Sequence, residues 1–445
     1  LTGSMMLPIR KLNSEEAHFQ YELDVLRHWD PGEDRELEGR VREILDRVRS
    51  EGDPAVVEYT QQFDRLEHST MASLEIGRDR MNAALERLPD EQRQALEGSA
   101  ERIRDFHRRQ REESWTYTDP SGTLLGQQVR ALERVGVYIP GGTAAYPSTV
   151  LMNAIPAHVA GVSEIIMTVP TPGGEVHDIV LAAASLAGVD VIYTVGGAQA
   201  VAALAYGTER IPAVDKIVGP GNRYVATAKR LVFGRVGIDM VAGPSEIVVI
   251  SDGGVDPDWL AMDLLSQAEH DEYAQAIFIT PDRECLEAVH HSLTSLVETL
   301  NRAEIARRSL EGRGALIQVP DVDAAIQVAN WIAPEHLELA LTRHEPLEVA
   351  PAVEHAGAIF LGPYTAEVMG DYVAGPNHVL PTEGTARFAS PLGVYDFIKR
   401  SSLIGCSPDS ARELGAMAAV LARAEGLTAH AASADYRVHS GERRK

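Results

Sequence analysis

Val135-Gly136-Val137-Tyr138-Ile139-Pro140-Gly141-Gly142 is an apolar run that ends in a glycine turn, and the pattern returns twice more. Val189 to Val195 leads into Gly196-Gly197-Ala198-Gln199, and Lys216 to Val218 leads into Gly219-Pro220-Gly221-Asn222. Helical stretches follow each turn: Ser148 to Gly161, Ala198 to Tyr206 and Tyr224 to Leu231. Glu164 to Val169 reads as a further strand and Ile179 to Leu186 as a further helix. Short β-branched runs alternating with helices are the pattern of βαβ units, which predicts a parallel sheet flanked by helices.

Downstream of Gly243-Pro244-Ser245 a second α/β region begins. Its expected strands are Glu246 to Ser251, Gln275 to Ile279, Ala315 to Gln318 and Ala358 to Leu361, with helices near Pro257 to His270, Arg283 to Leu300 and Val322 to Trp331. Upstream, Leu37, Val41, Ile44, Leu45 and Val48 recur at the spacing of one buried helix face. Asp53 is expected to cap the next helix, which has Pro54 in its first turn, and helical pattern runs on to about Arg111. Ser114 to Gly122 reads as a polar connection, and from Pro391 the chain turns helical and polar again.

The length of 445 residues suits two or three domains with their own cores. Acidic residues outnumber basic ones 65 to 41, and a formal charge of -24 repels nucleic-acid phosphates and anionic lipid, so neither is an expected partner. The basic run Arg102 to Arg111 alternates with Ile103 and Phe106 and reads as a solvated helix face. No apolar stretch of about 18 residues and no secretory signal pattern is present, which points to a cytoplasmic protein. The opening Leu1-Thr2-Gly3-Ser4-Met5 reads as a cloning remnant, and an organellar transit peptide removed before cloning stays open. Cys285 and Cys406 are too few for a disulfide framework, so any metal must sit on nitrogen and oxygen ligands.

The three glycine turns offer backbone N–H groups at helix starts, at the strand ends where α/β sheets bind ligands. They suit a nucleotide or another anion, although tight turning alone explains any one of them. The G-x-G-x-x-G fingerprint is missing, because Asn222, Arg223 and Tyr224 follow Gly221. Gln267 and His270, three apart on one helix, share a face and could ligate a metal, or be structural. Asp371 and His378 fall in a glycine-flanked loop, and Glu425 and His430 at a helix terminus. Pro334-Glu335-His336-Leu337 places a carboxyl and an imidazole at one turn, able to serve two successive deprotonations or a structural ion pair.

Taken in order, these motifs, together with Ala242-Gly243-Pro244-Ser245-Glu246, Ala333-Pro334-Glu335-His336 and Asn377-His378-Val379-Leu380-Pro381-Thr382, resemble the histidinol dehydrogenase family from about Pro8 to His430. The resemblance implies two incomplete Rossmann-like α/β domains, a helical N-terminal segment and a small helical C-terminal domain. Its division is 1–24 as N-terminal segment, 25–137 plus 245–390 as the first α/β domain, 138–244 as the NAD-binding domain and 391–445 as the C-terminal domain. It implies zinc on Gln267, His270, Asp371 and His430, and NAD contacts at Tyr138, Gln199 and Asn222. Substrate contacts fall on Ser245, His378 and Glu425 as well as on His336 and the four metal positions, with Glu335 and His336 as the catalytic pair. The implied reaction oxidises histidinol through the aldehyde to histidine with two NAD, in a homodimer whose C-terminal segments complete each other's sites. The nearest rival is a related zinc and NAD enzyme acting on another small alcohol; a zinc hydrolase and a silent binding protein are the rivals from other classes.

Overall fold

The computed structural model describes residues 6–27, 35–66, 69–141 and 145–439. Gly142 and the opening five residues lie outside them. The predicted α/β class is borne out: two six-stranded sheets and one three-stranded sheet organise the described chain.

The first sheet is wholly parallel, in the order Arg10–Asn13, Ala315–Gln318, Gln275–Thr280, Glu246–Ser251, His336–Ala340, Ala358–Leu361. All residues of the Glu246–Ser251 and Gln275–Thr280 strands are buried, as expected where helices cover both faces. Ile247, Val249 and Phe278 pack under helices Pro257–Ala268 and Arg283–Leu296 on one face; Val248, Ile250, Leu337 and Leu339 pack under Val322–Ile332 on the other.

The second sheet runs Glu75–Gly77, Val191–Tyr193, Glu164–Thr168, Arg134–Tyr138, Lys216–Val218, Gly237–Ile238, parallel except for its first member. In both sheets the two strands that follow the central one in sequence lie on one side of it and later ones on the other. That reversal is the switch point of a doubly wound sheet.

Three expectations need correcting. Residues 35–108, assigned with the first α/β domain, pack on the second sheet, because Val41, Val48 and Val56 share a core with Val201 and Ile217, and Met81 and Ile103 with Val137 and Ile155. The polar connection contains a strand, Trp115–Thr118, which joins Leu124–Ala131 and Ile398–Gly405 in an antiparallel sheet, so the C-terminal region is not purely helical. Gly52, not Asp53, holds the cap position of helix Asp53–Asp64, and the Asp53 N–H donates to Glu209 Oε2 over 2.8 Å.

Among the described residues no helix is long and apolar enough to cross a membrane. Helices Pro408–Ala424 and Thr428–Val438 pair with each other, burying Ala419 and Ala431 while Met417, Val420, Leu421 and Tyr436 stay exposed.

Candidate active site

Both chemical candidates of the first sheet arrive at its amino end. Helix Val322–Ile332 stops at Ala333, whose φ of 55° reverses the chain; Pro334 and Glu335 follow, and His336 starts a strand. Helix Pro257–Ala268, capped by Asp256 as the sequence predicts, ends one residue after Gln267. His270 therefore sits in the turn beyond the helix, exposed, its N–H donating to the Gln267 carbonyl over 3.1 Å. Asp371 lies on the short helix Glu367–Tyr372, not in a loop. Helix carboxyl ends carry partial negative charge, so this end of the sheet favours a cation.

His336 is the hub. Its Nδ1 is 2.9 Å from the Glu246 carbonyl, an acceptor only, so Nδ1 carries a proton and, when the ring is neutral, the lone pair is on Nε2. Nε2 is buried without a hydrogen-bond partner, and Asp371 Oδ1 stands 3.7 Å from it. Gln267 Nε2 lies 3.2 Å and Glu367 Oε1 3.5 Å from Nδ1. Glu335 is buried beside it, with Oε2 accepting the Glu246 N–H over 2.9 Å.

Electrostatics follow from that crowding. Burial alone would lower the His336 pKa, but Glu367, Glu335 and Asp371 outweigh it and raise it well above the usual imidazole range. Burial pushes Glu335 up to about 8, against the pull of His336. Burial also drives up Glu367, to about 7, despite His336. For Asp371 burial works upward, but His336, His378 and His270 prevail and hold its carboxyl low. Burial lowers His378, whose Nδ1 is 2.9 Å from the Asp371 carbonyl and hence also carries the proton.

The structure thus gathers Glu335, His336, Gln267 and Asp371, with His270 and His378 close enough to act on the Asp371 charge. Ser245 directly precedes Glu246, and its carbonyl accepts the Gln275 N–H over 2.9 Å. Glu425 and His430 are exposed on the C-terminal helix pair. Sequence reasoning missed Glu367, Glu338 and Asp263, which continue the acidic column behind His336; the Glu367 N–H donates to Glu338 Oε1 over 2.7 Å. The available signal was Glu338 itself, a charge inside the buried strand His-Leu-Glu-Leu-Ala, on the same face as His336.

This donor set fits a divalent cation. Ligand atoms of His336, Glu367 and Asp371 lie within 4.8 Å of one another, all nitrogen or oxygen. Glu367 Oε2, like His336 Nε2, is buried without a hydrogen-bond partner.

At the carboxyl end of the second sheet, Gly219 has φ 111°, and a Cβ there would stand 2.0 Å from the Tyr138 carbonyl oxygen. The turn is locked by Lys229 Nζ donating to the Gly219 carbonyl over 2.8 Å and by the Gly219 N–H donating to Asp239 Oδ2 over 2.8 Å. Tyr138 is buried, its hydroxyl accepting the Gly197 N–H over 3.1 Å. Helices Pro147–Ala160 and Gly197–Tyr206 start there without a side-chain cap. Gln199 is 1 % exposed, and its Oε1 has no hydrogen-bond partner. Asn222 caps helix Arg223–Val232 by accepting from Tyr224 and Val225 N–H groups, a structural duty the sequence reading did not assign. Open helix starts fit the anionic phosphates of a dinucleotide, and the unsatisfied Gln199 Oε1, an acceptor, fits one of its hydroxyl or amide donors.

The family profile of histidinol dehydrogenase matches residues 30–438. Histidinol dehydrogenase of Pseudomonas aeruginosa is 62% identical over 430 residues, covering 97% of each chain. That of Hydrogenovibrio crunogenus is 59% identical over 433 residues, covering 97% of this chain and all of the relative. A crystal structure of histidinol dehydrogenase from Elizabethkingia anophelis superposes with a TM-score of 0.91 at 33% identity, covering 98% of this chain and 99% of that one. The resemblance seen in the glycine turns and the Glu335-His336 pair thus extends over nearly the whole chain, which belongs to the histidinol dehydrogenase family of oxidoreductases.

Proposed function

We propose that the chain oxidises histidinol to histidine in two successive two-electron steps at one site. The observation that carries this reading is the fixed tautomer of the neutral His336 ring, which puts the lone pair on the buried Nε2, where it can receive a proton, while Glu335 stands beside it as a second base. Gln267, His270 and Asp371, with the partner subunit's His430, would hold zinc, which leaves His336 of the gathered donors free as the base; Tyr138, Gln199 and Asn222 would meet NAD. When bound, NAD supplies the hydride acceptor for each step and zinc a fixed seat for the substrate's imidazole and amine.

In the first step His336 Nε2 takes the hydroxyl proton of the alcohol as the carbinol C–H bond breaks, which leaves the aldehyde. Glu335 then takes a proton from water as its oxygen adds to the aldehyde carbon, and His336 gives its Nε2 proton to the aldehyde oxygen, which leaves the neutral hydrate. His336, returned to its neutral form, takes a hydroxyl proton of that hydrate as the second C–H bond breaks. Ser245, His378 and the partner subunit's Glu425 orient the substrate. A thiohemiacetal route is disfavoured: burial, with Asp282 nearby, pushes the Cys285 thiol up to about 11, and Cys406 belongs to the C-terminal region.

The exposed apolar residues of the C-terminal helix pair support a homodimer in which each pair completes the partner's site. Mixing His336→Ala with His430→Ala chains is expected to recover activity after subunit exchange, and no recovery would contradict sharing. The reaction itself is tested by NADH absorbance on adding histidinol and NAD. Two NADH per histidinol, lost on chelation and restored by zinc, is the expected result; no NADH would overturn the reading.

A further inference from the structure

Glu335 and His336 are tied to the same backbone residue. The Glu246 N–H donates to Glu335 Oε2 and the Glu246 carbonyl accepts from His336 Nδ1, each at 2.9 Å. Wherever Glu246 sits, both bases follow, with the direction of the Nε2 lone pair set by one bond and the tilt of the Glu335 carboxyl by the other.

Glu246 is itself placed by a buried charge. Its side chain is 5 % exposed, and Oε1 accepts the Glu383 N–H over 3.3 Å and stands 4.0 Å from Arg313 Nη2, an ion pair without a direct hydrogen bond. Arg313, at the end of helix Ala303–Arg313, donates through Nη1 to the Tyr273 carbonyl over 2.7 Å. Glu383 shares the Arg313 field and adopts φ 55°, a left-handed conformation unfavourable for a residue with a side chain. A Cβ on Gly243 would stand 2.3 Å from the Glu383 carboxyl carbon, and the Gly243 N–H donates to Thr382 Oγ1 over 2.7 Å, so segments 243–246 and 382–383 interlock. A buried ion pair is a poor source of stability compared with apolar packing. Its presence directly behind the reacting bases, with a strained residue beside it, asks for another purpose.

We propose that Glu246 and Arg313 are positioning residues, holding by their buried ion pair the backbone from which Glu335 and His336 are both oriented. The inference rests on the functional reading above. It concerns orientation, so it predicts a loss in turnover more than in binding, since small misplacement of reacting groups is costly even where contacts to substrate persist.

The test uses the full-length zinc-loaded protein with Glu246→Gln, Arg313→Met and Arg313→Lys, read by steady-state kinetics and by ring nitrogen NMR of His336 in 15N-histidine-labelled protein. Glu246→Gln and Arg313→Met are expected to lower kcat by about tenfold or more with KM for histidinol and NAD within about twofold. The His336 ring signals are expected to leave the Nδ1–H pattern, and Arg313→Lys to restore part of both. Wild-type kcat in folded Glu246→Gln, or lowered kcat with unchanged ring signals, would overturn the proposal. Should Glu246→Gln not fold, Arg313→Met decides alone by the same criteria. A wild-type protein that makes no NADH from histidinol would remove the functional reading while leaving the ring signals to decide this one: unchanged signals in the variants overturn it, and shifted signals sustain it.

Discussion

The two six-stranded sheets share one winding order and use opposite ends. In the first, every helix that starts at the carboxyl end after strands Glu246–Ser251, Gln275–Thr280 and Ala315–Gln318 is capped by an aspartate: Asp256, Asp282 and Asp321. Asp252, 2 % exposed, fills the switch point itself, accepting from the Thr342, Arg343 and His344 N–H groups at 2.9, 2.7 and 3.1 Å. The positions that would bind an anion are occupied by the protein's own carboxylates. What remains is the amino end, where helix carboxyl termini and buried acids favour a cation. The second sheet is the reverse: at its carboxyl end two helices begin uncapped, behind glycine turns. One scaffold supplies a cation end and an anion end according to where its aspartates lie, and the proposed reaction would use both.

Breaking the cation end at its hub is expected to have the largest effect. His336→Ala is expected to lower alcohol oxidation by about 10²-fold or more while NAD binding, measured by calorimetry, is unchanged. Glu335→Gln comes next. Because the Glu335 base form appears only above its raised pKa of about 8, oxidation of added aldehyde is expected to climb with pH through that region in the wild type. In Glu335→Gln it is expected to be slower and flat there; a wild-type profile in the variant would assign the hydration step elsewhere.

At the anion end, Gly219→Ala forces a Cβ against the Tyr138 carbonyl and is expected to weaken NAD by at least tenfold in a calorimetric titration, with zinc affinity retained. Asn222→Ala removes a helix cap and is expected to cost about 1 kcal/mol in denaturant unfolding. The smallest effect is expected from Cys285→Ser with Cys406→Ser, whose turnover should stay within about twofold of the wild type, since burial keeps Cys285 a thiol. Loss of aldehyde oxidation there would restore the thiohemiacetal route.

The legibility of the sequence follows the same division. The second sheet was readable because its strands are short apolar runs broken by glycine, a signal set by local backbone need. The strand Glu75–Gly77 was not, being three residues inside helical pattern and placed only by pairing with Val191–Tyr193. Ile398–Gly405 was hidden for a similar reason: Lys399, Arg400, Ser401 and Ser402 are exposed, so no apolar alternation marks it. In the site, Glu335 and His336 could be read as a pair because they are adjacent. The acids Asp263, Glu338 and Glu367 come from three elements, and only folding makes them one column. The tautomer of His336 was beyond reach, since it depends on a carbonyl 90 residues away in sequence.

The division of labour between the sheets is tested most directly by titrating zinc and NAD separately, by calorimetry, into Asp371→Ala and Gly219→Ala. The account predicts a crossed result: Asp371→Ala loses zinc affinity and keeps NAD, and Gly219→Ala loses NAD affinity and keeps zinc. Loss of both ligands in either folded variant, or of neither, would contradict it.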